Sequence, residues 1–181
     1  MADLLKLDIG CGQNKKDGFT GMDSAAADGV DIVHDANVFP WPFDDGSVDE
    51  VFCSHFLEHL TGDQRIPFMD ELWRIMKDSA KATIITPFYS SSRAVQDPTH
   101  RWPPLCEASY LYFNKKWRED NKLTHYLGTC DFDFTCGYGL DGEVSLRAED
   151  YQRYAVKHYI NSVLDLQVVL TKRAAVDDVA N

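Results

Sequence analysis

The chain contains no apolar run near the roughly 18 residues that a membrane span needs. Met1 to Lys6 lack the apolar core of a secretory signal. A soluble, cytoplasmic protein is expected, with no membrane partner. The five cysteines form no Cys-x-x-Cys pair and no zinc-ligand spacing, and Cys130 and Cys136 stand apart from other ligand types. Reduced thiols and no metal are therefore expected. Basic residues are also scarce: 18 Lys and Arg face 29 Asp and Glu, for a net charge of −11. Such a field repels a polyanion. It disfavours nucleic acid without excluding it, because Lys15-Lys16, Lys115-Lys116 and Lys172-Arg173 could form a local patch. Small molecules or a protein substrate are favoured. No repeat or low-complexity linker interrupts the 181 residues, so a single domain over 1–181 is expected. The sequence gives no sign of an oligomeric state.

What is present begins with Leu5-Lys6-Leu7-Asp8-Ile9-Gly10-Cys11-Gly12, an apolar strand running into an Asp-x-Gly-x-Gly turn. Glycines suit a sharp turn that a ligand must approach closely. At the carboxyl end of a first parallel strand, open α/β sheets bind nucleosides. A dinucleotide site wants a third small residue, and this chain has Lys15 there. Only 13 positions separate Gly10 from Asp23, against roughly 20 in the dinucleotide pattern. The first crossover helix should shrink to a turn, which removes the helix N-terminus that binds phosphates. A ligand without phosphates would not need it.

S-adenosylmethionine (SAM) is such a ligand. Asp23, ending a second strand over Phe19–Asp23, can accept from both ribose hydroxyls. Val30 to Val33 reads as a short third strand ending in His34-Asp35. Asp35 can accept from the adenine amine, and the Ala36 backbone can meet the ring edge. Asp8 and the Gly10-Cys11-Gly12 loop then face the methionine end.

These residues, with Phe39-Pro40-Trp41-Pro42-Phe43-Asp44-Asp45-Gly46-Ser47-Val48-Asp49, Ser54-His55-Phe56-Leu57-Glu58-His59-Leu60 and Glu71-Leu72-Trp73-Arg74, resemble a class I SAM-dependent methyltransferase. The subtype is similar to the quinone-biosynthesis enzymes, and closer to compact members of bacteriophage genomes. The resemblance runs from Leu4 to about Phe88. It departs at the short first crossover and at the turn expected over Asp78-Ser79-Ala80, where the family usually has Pro-Gly-Gly. It implies a Rossmann-like, doubly wound, mostly parallel sheet with an antiparallel C-terminal edge strand. It also implies SAM as cofactor, S-adenosylhomocysteine as product, and Ser54 and His55 beside the cofactor.

Further strands are expected at Val48–Cys53 and Ala82–Thr86, with an apolar helix opening near Thr61-Gly62-Asp63 between them. Residues 88–138 hold half of the aromatics, together with Pro98, Pro103 and Pro104. A segment this long between strands is usually functional, and a substrate-facing cap is placed at about 88–130. A helix from about Glu149 and a strand over Leu164–Leu170 follow, the latter paired antiparallel with Phe132–Cys136. A frayed tail is expected from Ala174.

Methyl transfer from a sulfonium needs alignment and exclusion of water more than a side-chain nucleophile. A base is needed only for a protonated acceptor atom. His100, in Asp97-Pro98-Thr99-His100-Arg101, and His55, after the fourth strand, are the candidates for contact with the reacting groups. His59 is expected to orient its helix. No Pro-Cys motif is present, which disfavours cytosine C5 methylation, and Thr86-Pro87-Phe88-Tyr89 matches the Asn-Pro-Pro-Tyr motif poorly. A small-molecule acceptor leads. A nucleic-acid base or protein side chain, a SAM-binding relative without transfer activity, an NAD-dependent oxidoreductase and an aminopropyl transferase stay open.

Overall fold

The computed structural model describes residues 4–126 and 128–174. The expected tail lies almost wholly outside that range. Seven strands form one sheet in the order β3-β2-β1-β4-β5-β7-β6. They are β1 (Lys6–Ile9), β2 (Thr20–Asp23), β3 (Ile32–Val33), β4 (Val48–Ser54), β5 (Met76–Pro87), β6 (Phe132–Leu140) and β7 (Val163–Lys172). The first five run parallel. β7 inserts antiparallel between β5 and β6, so β6 is the outer edge. Chain order reverses direction between β1 and β4, and a crevice opens at the carboxyl ends of the strands there.

The first crossover is a turn, as expected. The loops after β2 and β3 also lack helices, which the sequence reading did not anticipate. Trp41 covers the sheet where a helix would lie. Its ring is almost fully buried and packs edge-on to Phe68 at 5.2 Å. Its indole N–H donates to the Ala36 carbonyl at 3.1 Å, and its amide donates to Glu71. Pro40 and Pro42 flank it and resist helical continuation.

Helix α1 (Gly62–Ile75) starts at a capping box between Thr61 and Gln64. Phe68, Met69, Leu72 and Ile75 recur at helical spacing and enter the core. β5 is longer than expected. Met76 already pairs with Val48, and the register then jumps to Lys81 opposite Glu50. Ser79 takes a positive φ of 65°, so Asp78-Ser79-Ala80 is an outward bulge within a strand, not a turn before one.

The segment after β5 carries α2 (Arg93–Gln96), a 3₁₀ stretch (Glu107–Phe113) and α3 (Lys115–Asp120). Its aromatics divide into two groups. Phe88, Tyr110 and Phe113 join the main core, while Tyr89, Trp102, Tyr112 and Tyr126 stay exposed. The buried Arg65 of α1 clamps it, donating to the carbonyls of Pro103 (2.7 Å) and Leu57 (3.2 Å). Two further helices, α4 (Gly142–Ser145) and α5 (Glu149–His158), precede β7.

Candidate functional site

Two adjoining cavities open at the carboxyl ends of the parallel strands and share His59. The first, about 280 Å³, includes Gly10, Asp23, Asp35, Ala36 and Phe56 in its lining. Gly10 has a φ of +68°, and a Cβ there would stand 2.6 Å from the Phe56 ring. Glycine is therefore required for both backbone angle and space.

The glycine loop is tied down by carboxylates. Asp23 Oδ2 accepts from the Gly12 amide at 2.9 Å, and Asp8 Oδ2 accepts from the Lys16 amide at 2.8 Å. Asp31 Oδ2 accepts from the Gly21 amide and the Lys15 ammonium, each at 2.7 Å. These bonds hold the Asp31 pKa below its usual value, the Lys15 contact being the larger cause. Burial pushes the Asp8 pKa up, partly offset by the Lys16 amide.

Sequence-chosen residues fall into distinct places. Asp23, Asp35, Gly10 and Ala36 line the first cavity together. Asp35 Oδ1 accepts from the Asn37 amide at 2.9 Å, with Oδ2 left for a further donor. Asp8, Cys11, Gly12 and Ser54 line neither cavity. Asp8 was expected to face a ligand. It is instead buried beneath the loop, because its oxygen is needed by Lys16.

The second cavity, about 400 Å³, is bordered by His55, Glu58, His59, Arg93, Asp97 and His100. His55 and His100 meet there although 45 positions separate them. His55 has a φ of 55°, an uncommon conformation in which histidine is enriched and which often marks a functional turn. Its Nδ1 lies 3.3 Å from Glu58 Oε1, and this contact raises the His55 pKa. His100 Nδ1 lies 3.2 Å from the Ala94 carbonyl. The rings of His59 and His100 cross edge to face at 4.9 Å. His59 therefore stands between the cavities, a more exposed place than helix orientation required.

Sequence reasoning missed Glu58, Asp31 and Thr99. Glu58 is buried, with His55 Nδ1 beside Oε1 and no hydrogen-bond partner for Oε2. Nothing in Leu57-Glu58-His59 signals that burial. Asp31 precedes a strand of only two residues, which hid its position.

Residues 16–84 match a family model described as a methyltransferase domain. Search of curated proteins finds no match. Among solved structures, a SAM-dependent methyltransferase of Archaeoglobus fulgidus is 20% identical at a TM-score of 0.65, covering 94% of this chain and 87% of that one. A SAM-dependent methyltransferase of Methanosarcina mazei is 16% identical at a TM-score of 0.55, covering 96% and 94%. Geranyl diphosphate C-methyltransferase of Streptomyces coelicolor, solved with Mg²⁺, geranyl diphosphate and S-adenosylhomocysteine, is 15% identical at a TM-score of 0.54, covering 95% and 72%. At these identities the structures show a shared fold.

Proposed function

We propose that this chain is a class I SAM-dependent methyltransferase, that SAM binds in the Gly10–Asp23–Asp35 cavity and that a small-molecule acceptor binds in the adjoining one. The shared wall at His59 carries this reading, because transfer requires acceptor and methyl donor to meet. The acceptors on the wall of the first cavity suit the proposed ligand. Asp23 Oδ1 has only long contacts, from the Ala25 amide at 3.3 Å and Ser24 Oγ at 3.4 Å, so it can take a ribose hydroxyl. Asp35 Oδ2 can take the adenine amine. Bound SAM supplies the activated methyl group together with its leaving group. The chain's residues bind, orient and exclude water: Phe56 backs the glycine turn, and the 93–101 segment walls the acceptor side. His55 and His100 are the side chains proposed to touch the acceptor.

Surface charge supports a small acceptor over a nucleic acid. The basic pairs noted in the sequence are largely neutralised. Lys15 pairs with Asp31 at 2.7 Å and Lys116 with Asp120 at 2.9 Å. Arg173 pairs with Asp131 and Asp133, and Lys172 is buried against the Met76 carbonyl. Labelled-methyl transfer into a cell extract, fractionated by size with and without nuclease or protease, tests the proposal. Label in the small-molecule fraction is expected. Label lost from a large fraction on nuclease or protease treatment assigns a macromolecular acceptor and overturns it.

A further inference from the structure

His59 and His100, at the proposed acceptor wall, have a second property. One potential ligand atom from each of Glu58, His59 and His100 lies within 4.8 Å of the other two. Glu58 is about nine-tenths buried; Oε1 has only His55 Nδ1 at 3.3 Å, and Oε2 has no hydrogen-bond partner. A buried carboxylate with an oxygen left unpartnered is costly. A bound cation removes that cost.

The histidines are prepared in a matching way. A carbonyl can only accept, so His100 Nδ1, 3.2 Å from the Ala94 carbonyl, carries the proton. Nε2 is left with a lone pair. Thr99 Oγ1 lies 2.7 Å from Asp97 Oδ1 and 2.9 Å from His59 Nδ1. The ionised Asp97 accepts the hydroxyl proton, so His59 Nδ1–H donates to Thr99, and its Nε2 is also left free. Histidines that ligate metals are oriented in this way, with the other ring nitrogen donating to a carbonyl or, directly or by relay, to a carboxylate.

We propose that Glu58, His59 and His100 form a binding site for a first-row divalent cation of the zinc type, open to the acceptor cavity. Two imidazoles and one carboxylate suit such ions, whereas Mg²⁺ and Ca²⁺ prefer all-oxygen shells. Ligands on a tetrahedral zinc stand about 3.4 Å apart, given bonds of about 2.0–2.1 Å. The three ligand atoms, within 4.8 Å of one another, need to draw together by up to about 1.4 Å to reach that spacing. Three protein ligands leave a coordination position for a lone-pair donor of the acceptor, as in catalytic zinc sites. The cation site stands on the geometry alone. Its use in transfer rests on the methyltransferase reading.

The test titrates chelator-treated protein with Zn²⁺ by calorimetry and with Co²⁺ by visible absorption, with the thermal shift from SAM measured in parallel. The wild type should take one equivalent, without the sulfur-to-cobalt charge-transfer band of a cysteine site. Glu58→Gln and His100→Ala should lose that equivalent. Thr99→Val, which removes only the relay to His59, should bind about 10- to 100-fold more weakly. Each variant should keep its SAM shift, which shows that it folds. If Glu58→Gln does not fold, His100→Ala and Thr99→Val decide. Absence of a stoichiometric ion in the wild type, a cysteine-type spectrum, or unchanged binding in the folded variants overturns the proposal. Metal binding without any SAM shift leaves the cation site standing and overturns the cofactor reading instead.

Discussion

Replacing Asp23 tests the proposed cofactor site most directly. One carboxylate oxygen already holds the Gly12 amide at 2.9 Å, and the other has only contacts of 3.3 and 3.4 Å. The second oxygen is the one available to the ribose. Hydrogen bonds to a charged group contribute roughly 1.5–3 kcal/mol, or about 10- to 150-fold in affinity. Asp23→Ala removes both the ribose acceptor and the loop anchor. Asp23→Asn separates them, because its amide oxygen can still take the Gly12 N–H while its NH₂ cannot accept from the ribose. Both variants should bind SAM at least about 10-fold more weakly, and Asp23→Asn should keep the ligand-free melting temperature. With ligand at 100 times the wild-type dissociation constant, the wild type gains about 2.7 kcal/mol, or roughly 5–11 °C for a chain of this size. A variant weakened 100-fold gains about 0.4 kcal/mol at that concentration, or roughly 1–2 °C. Calorimetric dissociation constants within a factor of two of wild type in both variants would refute the assignment. So would an NAD shift equal to that of SAM.

Asp35→Ala should weaken SAM binding less than Asp23→Ala, since it loses one amine contact, and calorimetry on the two variants ranks them. Gly21→Ala should destabilise the fold: its Cβ would stand 2.5 Å from the Gly29 carbonyl oxygen and 2.8 Å from Cys11 Sγ. Overpacking of this kind costs about 1–3 kcal/mol, roughly 2–12 °C in a thermal melt; an unchanged melting temperature refutes it. Glu71 is buried, which by itself raises its pKa, but Arg74 and the Trp41 amide together hold it below the usual value. Its contribution to stability is therefore full above the unfolded-state pKa and lost as pH falls through the lower folded value. Denaturant titrations should show Glu71→Gln less stable than wild type at neutral pH, with a smaller loss on acidification; an equal loss in both proteins sinks the argument. Trp41→Ala should cost about 3–5 kcal/mol, readable as a lower urea midpoint.

The parallel half of the sheet was legible because strands buried on both faces are written as apolar runs with acids or glycines at their ends. Leu7, Ile9, Met22 and Val51 are nearly fully buried, Asp23 ends β2 and Asp35 lies just past β3, as their spacing implied. The proposed cofactor residues Asp23 and Asp35 were recognisable for the same reason: each sits at a strand end. The burial of Asp8 and its bond to the Lys16 amide were not legible, since both are tertiary facts. The turn expected at Asp78-Ser79-Ala80 became a bulge because pairing of Met76 with Val48 outweighed local turn propensity. The proposed acceptor wall was the least legible part. Thr99, whose hydroxyl reaches His59, lies 40 positions further along, and no local pattern links the two.

The loop that replaces the first crossover helix has one more consequence. Gly12, Lys16 and Gly21 each give their amide hydrogen to a carboxylate carried by β1, β2 or the approach to β3. The cradle is thus laced to the sheet by the chain's own acids, before any ligand arrives. Those three hydrogens should exchange with deuterated solvent slowly even in the free protein, at rates set by opening of the sheet margin. Ligand entry then demands little ordering of the backbone, and the entropy of arranging the loop is spent during folding rather than at binding.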